Sequence, residues 1–250
     1  MTNKYIYFIA NWKMFGDVKS LNSLNKVIKF SKSNKNNKFK LVYCPPYTLL
    51  NLFYKKIKNS NISLGAQNCH HEEKNVAFTG SISSKMIKKM GAKYVIIGHS
   101  ENREMGETNF LINKKIKSSI KNDLKIIFCI GETLLQRKKK QTHKILLNQI
   151  LKGLKGVNKL NNILIAYEPV WSIGTGIIPK TKELEKNIKY IKVNVRKKFR
   201  FIKPKVLYGG SVNPLNIKNL KSINVIDGFL VGGASQNPKK FIDIIKKTFN

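Results

Sequence analysis

The sequence has few cysteines and no long apolar run. Its 250 residues include three cysteines, Cys44, Cys69 and Cys129, an odd number without the spacing of a metal site. We interpret them as reduced thiols of a cytoplasmic protein. No apolar run approaches the roughly 20 residues that cross a bilayer. The apolar stretch at the N-terminus is short and lacks the small-residue cleavage site of a signal peptide, so we expect neither a membrane partner nor export.

Acidic residues are also scarce, with 13 Asp and Glu against 48 Lys and Arg, which gives a formal net charge of +35. Such a charge attracts phosphorylated metabolites, nucleic acids and anionic lipids. The basic residues are nearly all lysines spread over the whole length, and no arginine-rich arm or nucleic-acid-binding motif is present. A drift of surface composition, as expected of AT-rich coding DNA, is therefore favoured, and we predict no specific nucleic-acid partner.

Short apolar runs with the composition of buried strands recur along the chain. They are Tyr5–Ala10, Leu41–Cys44, Ile62–Ala66, Tyr94–Gly98, Ile126–Gly131, Ile163–Tyr167, Val206–Gly209 and Ile226–Val231. Segments of helical period separate them, such as Phe110, Ile112, Ile116 and Ile120, or Leu184, Ile188, Ile191, Val195 and Phe199. Alternating strands and helices indicate a parallel sheet. The number and length of the units predict one domain over residues 1–250, a closed α/β barrel of the (β/α)₈ type, with an open doubly wound sheet as the alternative.

In such a barrel the chemistry lies at the carboxyl ends of the strands. The residues predicted there are Asn11 to Lys13, Gln67 and Asn68, His99 to Glu101, Glu168, Gly209 to Ser211, and Gly232 with Gly233. Glycine turns after the last two strands form the usual phosphate site of these barrels. We therefore expect a phosphorylated substrate.

Glu168, His99 and Lys13 together fit proton abstraction beside a carbonyl group. Glu168 is flanked by Tyr167, Pro169 and Trp171, and an apolar setting raises a carboxylate pKa, which suits a general base. His99 precedes a short predicted helix, where a neutral imidazole is favoured as a hydrogen-bond donor. Lys13 and His99 would then stabilise an enediolate oxyanion.

These segments resemble the triosephosphate isomerase family, in family order from the first strand to the last loop. The segments that carry the resemblance are Asn11–Met14, Gly65–Asn68, Ile97–Glu101, Cys129–Thr133, Ala166–Gly176, Tyr208–Val212 and Val231–Ser235. The resemblance implies a homodimer that interconverts dihydroxyacetone phosphate and D-glyceraldehyde 3-phosphate in glycolysis and gluconeogenesis, with no cofactor and no metal.

By position, the resemblance assigns a role to each site residue. Glu168 would be the base, His99 the electrophile, and Lys13 would offset the charge of the phosphate and the enediolate. Asn11 and Lys13 would bind substrate. The backbone N–H groups of Gly174, Ser211, Gly232 and Gly233 would hold the phosphate. Residues 169–180 would form a lid, and the third loop, Gln67 to Ser81, would dock on the partner subunit, covering Cys69.

Three residues depart from the family pattern. Pro179 stands in the C-terminal hinge of the lid, and its fixed φ is expected to alter lid motion. Asn102 and Ser81 replace an arginine and a glutamate that form an ion pair at the family's subunit interface. We therefore predict a dimer weaker than is usual for the family.

Three other functions stay open from the sequence. A different phosphate-binding barrel isomerase would share the two glycine turns, but it would have no reason to carry the lid with His99 and Lys13. A basic nucleic-acid-binding protein would cluster its lysines with aromatic residues. An inactive barrel would have lost some of the residues expected for catalysis.

Overall fold

The computed structural model describes residues 5–34, 38–72, 76–201 and 203–249, and its centre is a closed barrel of eight parallel strands. The strands are β1 Ile6–Asn11, β2 Phe39–Cys44, β3 Ile62–Ala66, β4 Tyr94–Ile97, β5 Lys125–Ile130, β6 Ile163–Tyr167, β7 Lys205–Tyr208 and β8 Gly228–Val231. Strand β8 pairs with β1 from Tyr7 opposite Gly228 to Ala10 opposite Val231. This pairing confirms the closed barrel and excludes the open doubly wound sheet.

Helices connect successive strands around the outside. They are α1 Leu24–Ser33, α2 Leu50–Ile57, α3 Ser84–Lys89, α4 Ser100–Glu104, α5 Asn109–Lys121, α6 Leu134–Lys138, α7 Thr142–Gly153, α8 Thr181–Phe199, α9 Ile217–Lys221 and α10 Pro238–Phe249. In the described ranges, none of these helices has both the length and the hydropathy that a bilayer crossing requires.

The helical period is confirmed in α8, where Leu184, Ile188 and Ile191 are buried. It is wrong at one position of α5, because Phe110 is 70% exposed. Phe110 lies two residues before the buried Ile112, a rotation of roughly 200° around the helix, and so it points away from the barrel.

The strand boundaries differ from the predicted ones at the barrel rims. Strands β5 and β7 each begin one residue earlier, at Lys125 and Lys205, because a charged side chain is tolerated where the strand emerges at the amino-terminal rim. Gly98, Gly131 and Gly209 end their predicted strands but lie just beyond the observed ones, in the turns that lead to the site.

The core has two apolar layers because successive strand residues point to opposite faces. Ile9 and Val42 belong to a cluster made only of strand residues, inside the barrel. Phe8 and Leu41 belong to a larger cluster that also includes helix residues such as Ile112. Both faces of the sheet are thus buried, as expected of a parallel sheet covered by helices.

The contact between α7 and β5 predicts an unusual effect of a glycine substitution. Gly153 ends α7, and a Cβ there would overlap the buried ring of Phe128. Alanine normally stabilises a helix by about 1 kcal/mol relative to glycine. Here we expect Gly153→Ala to lower the free energy of unfolding by about 1–3 kcal/mol, because the core becomes overpacked. Urea unfolding measures this, and Phe128→Leu in the alanine background should recover part of the loss. A more stable Gly153→Ala protein would contradict the packing argument.

Candidate active site

The predicted site residues converge at the carboxyl ends of the strands. One cleft of about 770 Å³ is lined by Asn11, Lys13, His99, Glu168, Gly174, Ser211, Gly232 and Gly233. The structure therefore brings all of the predicted substrate-binding and catalytic residues together. Their chemical roles stay predictions at this point.

Glu168 follows β6 and is held between two glycines. Its side chain is 1% exposed. A Cβ at Gly209 would lie 2.7 Å from Glu168 Cγ, and a Cβ at Gly131 would overlap the Glu168 carbonyl oxygen. The backbone N–H of Ser100 donates to Oε2 over 3.4 Å. Oε1, in contrast, has no hydrogen-bond partner among the described residues, so it is the oxygen left to accept a proton.

Burial raises the pKa of the Glu168 carboxyl group above its ordinary value of 4.5. The His99 ring, the Cys129 thiol and the Ser100 N–H oppose this shift in part. A carboxylate with a raised pKa is a stronger base, and the predicted direction of the shift is confirmed.

Two aromatic neighbours of Glu168 in sequence direct their polar atoms to a different carboxylate. Tyr167 donates from its hydroxyl to Glu132 Oε2 over 3.1 Å, and Trp171 donates from Nε1 to Glu132 Oε1 over 3.0 Å. Both aromatic side chains thus turn to a second carboxylate, which is fully buried. Sequence reasoning missed this role of Glu132. Its place in the segment Cys129–Thr133, directly after β5, was the available signal.

His99 is the N-cap residue of α4, which confirms the predicted short helix. Its Nδ1 accepts a hydrogen bond from the Glu101 N–H over 3.3 Å. An Nδ1 that accepts carries no hydrogen, so Nε2 is the ring nitrogen that donates. Nε2 lies 3.4 Å from Glu168 Oε1 and faces the cleft. The ring therefore presents a donor to any ligand beside Glu168.

Lys13 has a left-handed backbone, with φ of 55°. Its N–H donates to Asn11 Oδ1 over 3.1 Å, and its carbonyl oxygen accepts from Gln67 Nε2 over 2.8 Å. Its Nζ lies 2.5 Å from Glu101 Oε1. The sequence did not predict this ion pair, which joins the ends of β1 and β4 across the cleft.

One of the two predicted phosphate turns, Gly232 with Gly233, lies next to Lys13, and the other, Gly209 to Ser211, lines the same cleft. A Cβ at Gly232 would lie 3.6 Å from Lys13 Cε, whereas a Cβ at Gly233 would meet no atom within 4 Å. Gly233 begins a 3₁₀ turn, Gly233–Gln236, and Trp12 Nε1 donates to the Ser235 carbonyl oxygen over 3.2 Å. An anion at this turn would therefore lie beside the stem of the Lys13 side chain.

The predicted lid, residues 169–180, begins with a 3₁₀ turn, Val170–Ser172. Ser172 Oγ donates to the Ile177 carbonyl oxygen over 2.6 Å and lies 2.9 Å from the Tyr208 hydroxyl oxygen. Residues 174–177 are exposed, whereas Pro179 is buried. The middle of the lid is thus exposed to solvent, while Pro179 near its end is buried.

One guanidinium contacts both flanks of the lid. Arg137 lies over the ring of Trp171, 4.2 Å from its centroid. The same group donates to both carboxylate oxygens of Glu183, in the first turn of α8, over 2.8 and 2.9 Å. Arg137 therefore joins the start of the lid to the helix that follows it.

The third loop, Gln67 to Ser81, projects from the end of β3, and its residues 73–75 lie outside the described ranges. Val76 and Phe78 are about half exposed. Cys69, however, is only 3% exposed within this chain, with Sγ 3.2 Å from Ser119 Oγ, and burial raises its pKa to about 11. The barrel of the same chain therefore already buries Cys69, and coverage of this loop by a partner subunit stays a prediction.

The histidine pair at the third loop packs against an aromatic ring. The rings of His70 and His71 lie 4.3 Å apart, and Phe78 packs on His70 at 4.7 Å. In the described part of the chain, no group of three or more His, Cys, Asp or Glu side chains could hold a metal ion.

The fold and the cleft define a (β/α)₈-barrel enzyme whose site lies at the carboxyl ends of the strands. The model of the family described as triosephosphate isomerase matches residues 6–248. The chain is 43% identical to triosephosphate isomerase of Dictyoglomus turgidum, over 95% of this chain and 97% of that protein. It is 40% identical to triosephosphate isomerase of Thermodesulfovibrio yellowstonii, over 98% and 100%.

A solved structure leads to the same family. The crystal structure of triosephosphate isomerase from Bartonella henselae superposes with a TM-score of 0.89 at 32% identity, covering 100% of both chains. The chain therefore belongs to the triosephosphate isomerase family and is an isomerase.

The burial of Cys69 predicts its reactivity. We expect methyl methanethiosulfonate to modify Cys69 slowly at every protein concentration, because its own barrel excludes the reagent and the raised pKa keeps the thiol protonated. Peptide mass spectrometry measures the rate. An engineered Ser222→Cys thiol after α9, at an exposed position outside the third loop, is the control and should react at once. A Cys69 rate that rises on dilution would show instead that a partner subunit protects it.

Proposed function

We propose that the chain interconverts dihydroxyacetone phosphate and D-glyceraldehyde 3-phosphate through an enediolate, as a step of glycolysis and gluconeogenesis. The observation that carries the proposal is the approach of Glu168 Oε1 to His99 Nε2, at 3.4 Å, in a cleft that also contains Lys13. The names of the relatives support these substrates. The chain would act as one catalytic domain, and its free, buried cysteines support a cytoplasmic location.

Glu168 is proposed as the general base. Its unpartnered Oε1 would take the proton from the carbon next to the substrate carbonyl and return it to the neighbouring carbon. The raised pKa brings its basicity closer to that needed for a carbon acid at neutral pH. Because Gly131 packs on the backbone of Glu168 and Gly209 packs on its side chain, the base would be held in one position.

His99 and Lys13 are proposed to stabilise the oxyanion of the enediolate. The Nε2–H of a neutral His99 would donate to the substrate oxygen, since Nδ1 already accepts from the backbone. The amine of Lys13, paired with Glu101 in this structure, would add positive charge close to the phosphate turn. Asn11 would help to position Lys13, because its Oδ1 accepts a hydrogen bond from the Lys13 N–H.

The phosphate is proposed to bind the backbone N–H groups of Gly174, Ser211, Gly232 and Gly233. Three of these residues lie in turns after β7 and β8, and Gly174 lies in the exposed middle of the lid. Closure of the lid would bring Gly174 to the phosphate and exclude water from the enediolate. Pro179, buried at the end of the lid, would restrict this motion to the residues before it.

A coupled assay of triose phosphate isomerisation on the purified protein tests the proposal, and Glu168→Asp tests the base. Shortening the side chain withdraws the carboxylate by roughly 1 Å, which should lower kcat on the order of 10²-fold. In the parent enzyme, kcat/KM should fall at acid pH with an apparent pKa above 4.5, since Glu168 must be ionised.

The matched control is Glu185→Asp, which shortens an exposed carboxylate on α8 that pairs with Lys189. It should leave kcat unchanged. If neither the parent enzyme nor Glu185→Asp isomerises triose phosphates, the proposed function is overturned. Full kcat in Glu168→Asp would leave the function standing but exclude Glu168 as the base.

We also propose that the chain forms a homodimer through the third loop. The side chains at the tip of this loop, Val76 and Phe78, are apolar and half exposed. Two other apolar side chains of the described residues, Met14 and Met105, are 99% and 87% exposed. Both methionines line a second cleft of about 470 Å³, which contains Lys13 and His99 as well. An apolar loop tip from a second copy fits such a cleft, and it would brace the catalytic residues from outside.

The replacements at Ser81 and Asn102 predict a dimer that dissociates on dilution at low salt. The family's ion pair is absent on both sides, so no charge is left buried and unpaired. The net charge of +35 on each chain adds a repulsion that salt screens beyond about 10 Å at 0.1 M. At low salt, the sedimentation coefficient and the specific activity should fall together as the protein is diluted. Both are measured across a dilution series at two salt concentrations.

The double variant Ser81→Glu with Asn102→Arg should shift dissociation to lower protein concentration. Either single variant should not, because it introduces one unpaired charge. A parent dimer that persists at the lowest measurable concentration in both salts would refute the prediction. So would a fully active monomer.

A further inference from the structure

We propose that Gln236 is a positioning residue that holds Lys13 beside the phosphate turn. Its Nε2 donates to the carbonyl oxygen of Trp12 over 3.0 Å. In the opposite direction, Trp12 Nε1 donates to the carbonyl oxygen of Ser235 over 3.2 Å. Two hydrogen bonds thus fasten the segment after β1 to the 3₁₀ turn Gly233–Gln236. The consequence for catalysis rests on the proposed function.

The hydrogen bond from Gln236 acts on the peptide group that sets the backbone of Lys13. This peptide group consists of the Trp12 carbonyl and the Lys13 N–H. Asn11 Oδ1 accepts from the N–H over 3.1 Å, while Gln236 donates to the carbonyl. Both polar ends of one peptide plane are therefore held by carboxamide side chains, from opposite sides of the β1–β8 junction.

Such support is needed because Lys13 has a left-handed backbone, with φ of 55°. A residue with a Cβ leaves this region unless its surroundings hold it there. Rotation of the Trp12–Lys13 peptide would redirect the whole lysine side chain. Gln67, which donates to the Lys13 carbonyl oxygen over 2.8 Å, holds the following peptide and cannot prevent this rotation alone.

The position of Gln236 couples Lys13 to the phosphate turn. Gln236 is the last residue of the turn that Gly233 begins, and it lines the same cleft as Lys13 and Gly232. A Cβ at Gly232 would lie 3.6 Å from Lys13 Cε. The amine and the N–H groups of the turn thus keep a fixed spacing, as a single phosphate bound by both would require.

Gln236→Met tests the inference, because methionine has a similar length and no donor. We expect the Kd for inorganic phosphate and the KM for triose phosphate to rise about fivefold, the change that one neutral hydrogen bond supports. The change in kcat should be smaller, and the melting temperature should fall by only about 2–4 °C, since one hydrogen bond to the Trp12 carbonyl is lost. Phosphorus NMR titration with inorganic phosphate measures the Kd without turnover. Gln141→Met, before α7 and outside the cleft, is the matched control and should change neither quantity.

A double-mutant cycle with Lys13→Met separates positioning from a merely structural role. Once the amine is absent, Gln236→Met should leave the phosphate Kd unchanged, since there is nothing left to position. An equal loss of phosphate affinity in both backgrounds would overturn the inference, because Gln236 would then act on the turn itself. An unchanged Kd in the parent background would overturn it as well.

A conservative variant guards against a folding defect. Gln236→Asn keeps an amide donor on a shorter side chain and should retain part of the phosphate affinity that Gln236→Met loses. Equal loss in both variants would argue against a role for the donor. If the parent protein binds phosphate but does not isomerise triose phosphates, the proposed function fails while this binding test still decides the role of Gln236.

Discussion

The close approach of β8 to β1 is the constraint on which the site depends. At Gly228 a Cβ would overlap the backbone and the side chain of Tyr7, so the pairing of these two residues requires a glycine at position 228. The Tyr7 N–H donates to the Asp227 carbonyl oxygen over 3.0 Å at the same point. This junction brings the turn at Gly232 next to Lys13. Residues separated by most of the chain length become neighbours in the cleft as a result.

Two buried carboxylates near the cleft show how the same burial can have different consequences. Burial raises the pKa of both Glu132 and Glu168. Glu132 accepts hydrogen bonds from Tyr167 and Trp171 on both of its oxygens. Glu168 keeps one oxygen without a partner among the described residues. A saturated carboxylate stabilises the loops around it, whereas an unsaturated one destabilises the fold and is free to react.

The fold could be predicted from the sequence because strands buried on both faces are apolar throughout. Runs such as Ile163–Tyr167 therefore stand out from the lysine-rich segments between them. The order of strands in a barrel then determines which residues meet at the carboxyl ends. This is why Glu168, His99 and Lys13 could be assigned to one cleft before their distances were known.

The unpredicted contacts are side-chain pairs between distant loops, which leave no periodic signal. The pairing of Lys13 with Glu101 and the turning of Trp171 toward Glu132 both depend on loop conformations. Burial of Cys69 by its own barrel could not be predicted either, because it depends on contacts with residues distant in sequence, such as Ser119 on α5. The predicted helical stripe includes Phe110, but Phe110 lies two residues before the buried Ile112 and therefore on the opposite side of the helix.

The double contact of Arg137 has a consequence for chain entropy. The Arg137 guanidinium contacts Trp171, at the start of the lid, and Glu183, beyond its end. The segment between these two residues is therefore a closed loop. The ends of a closed loop cannot separate, and its accessible conformations are fewer than those of a tethered tail of equal length. Ordering the lid over a ligand therefore removes less entropy than its length suggests. The exposed middle residues can move while β6 and α8, which the loop connects, keep their positions relative to each other.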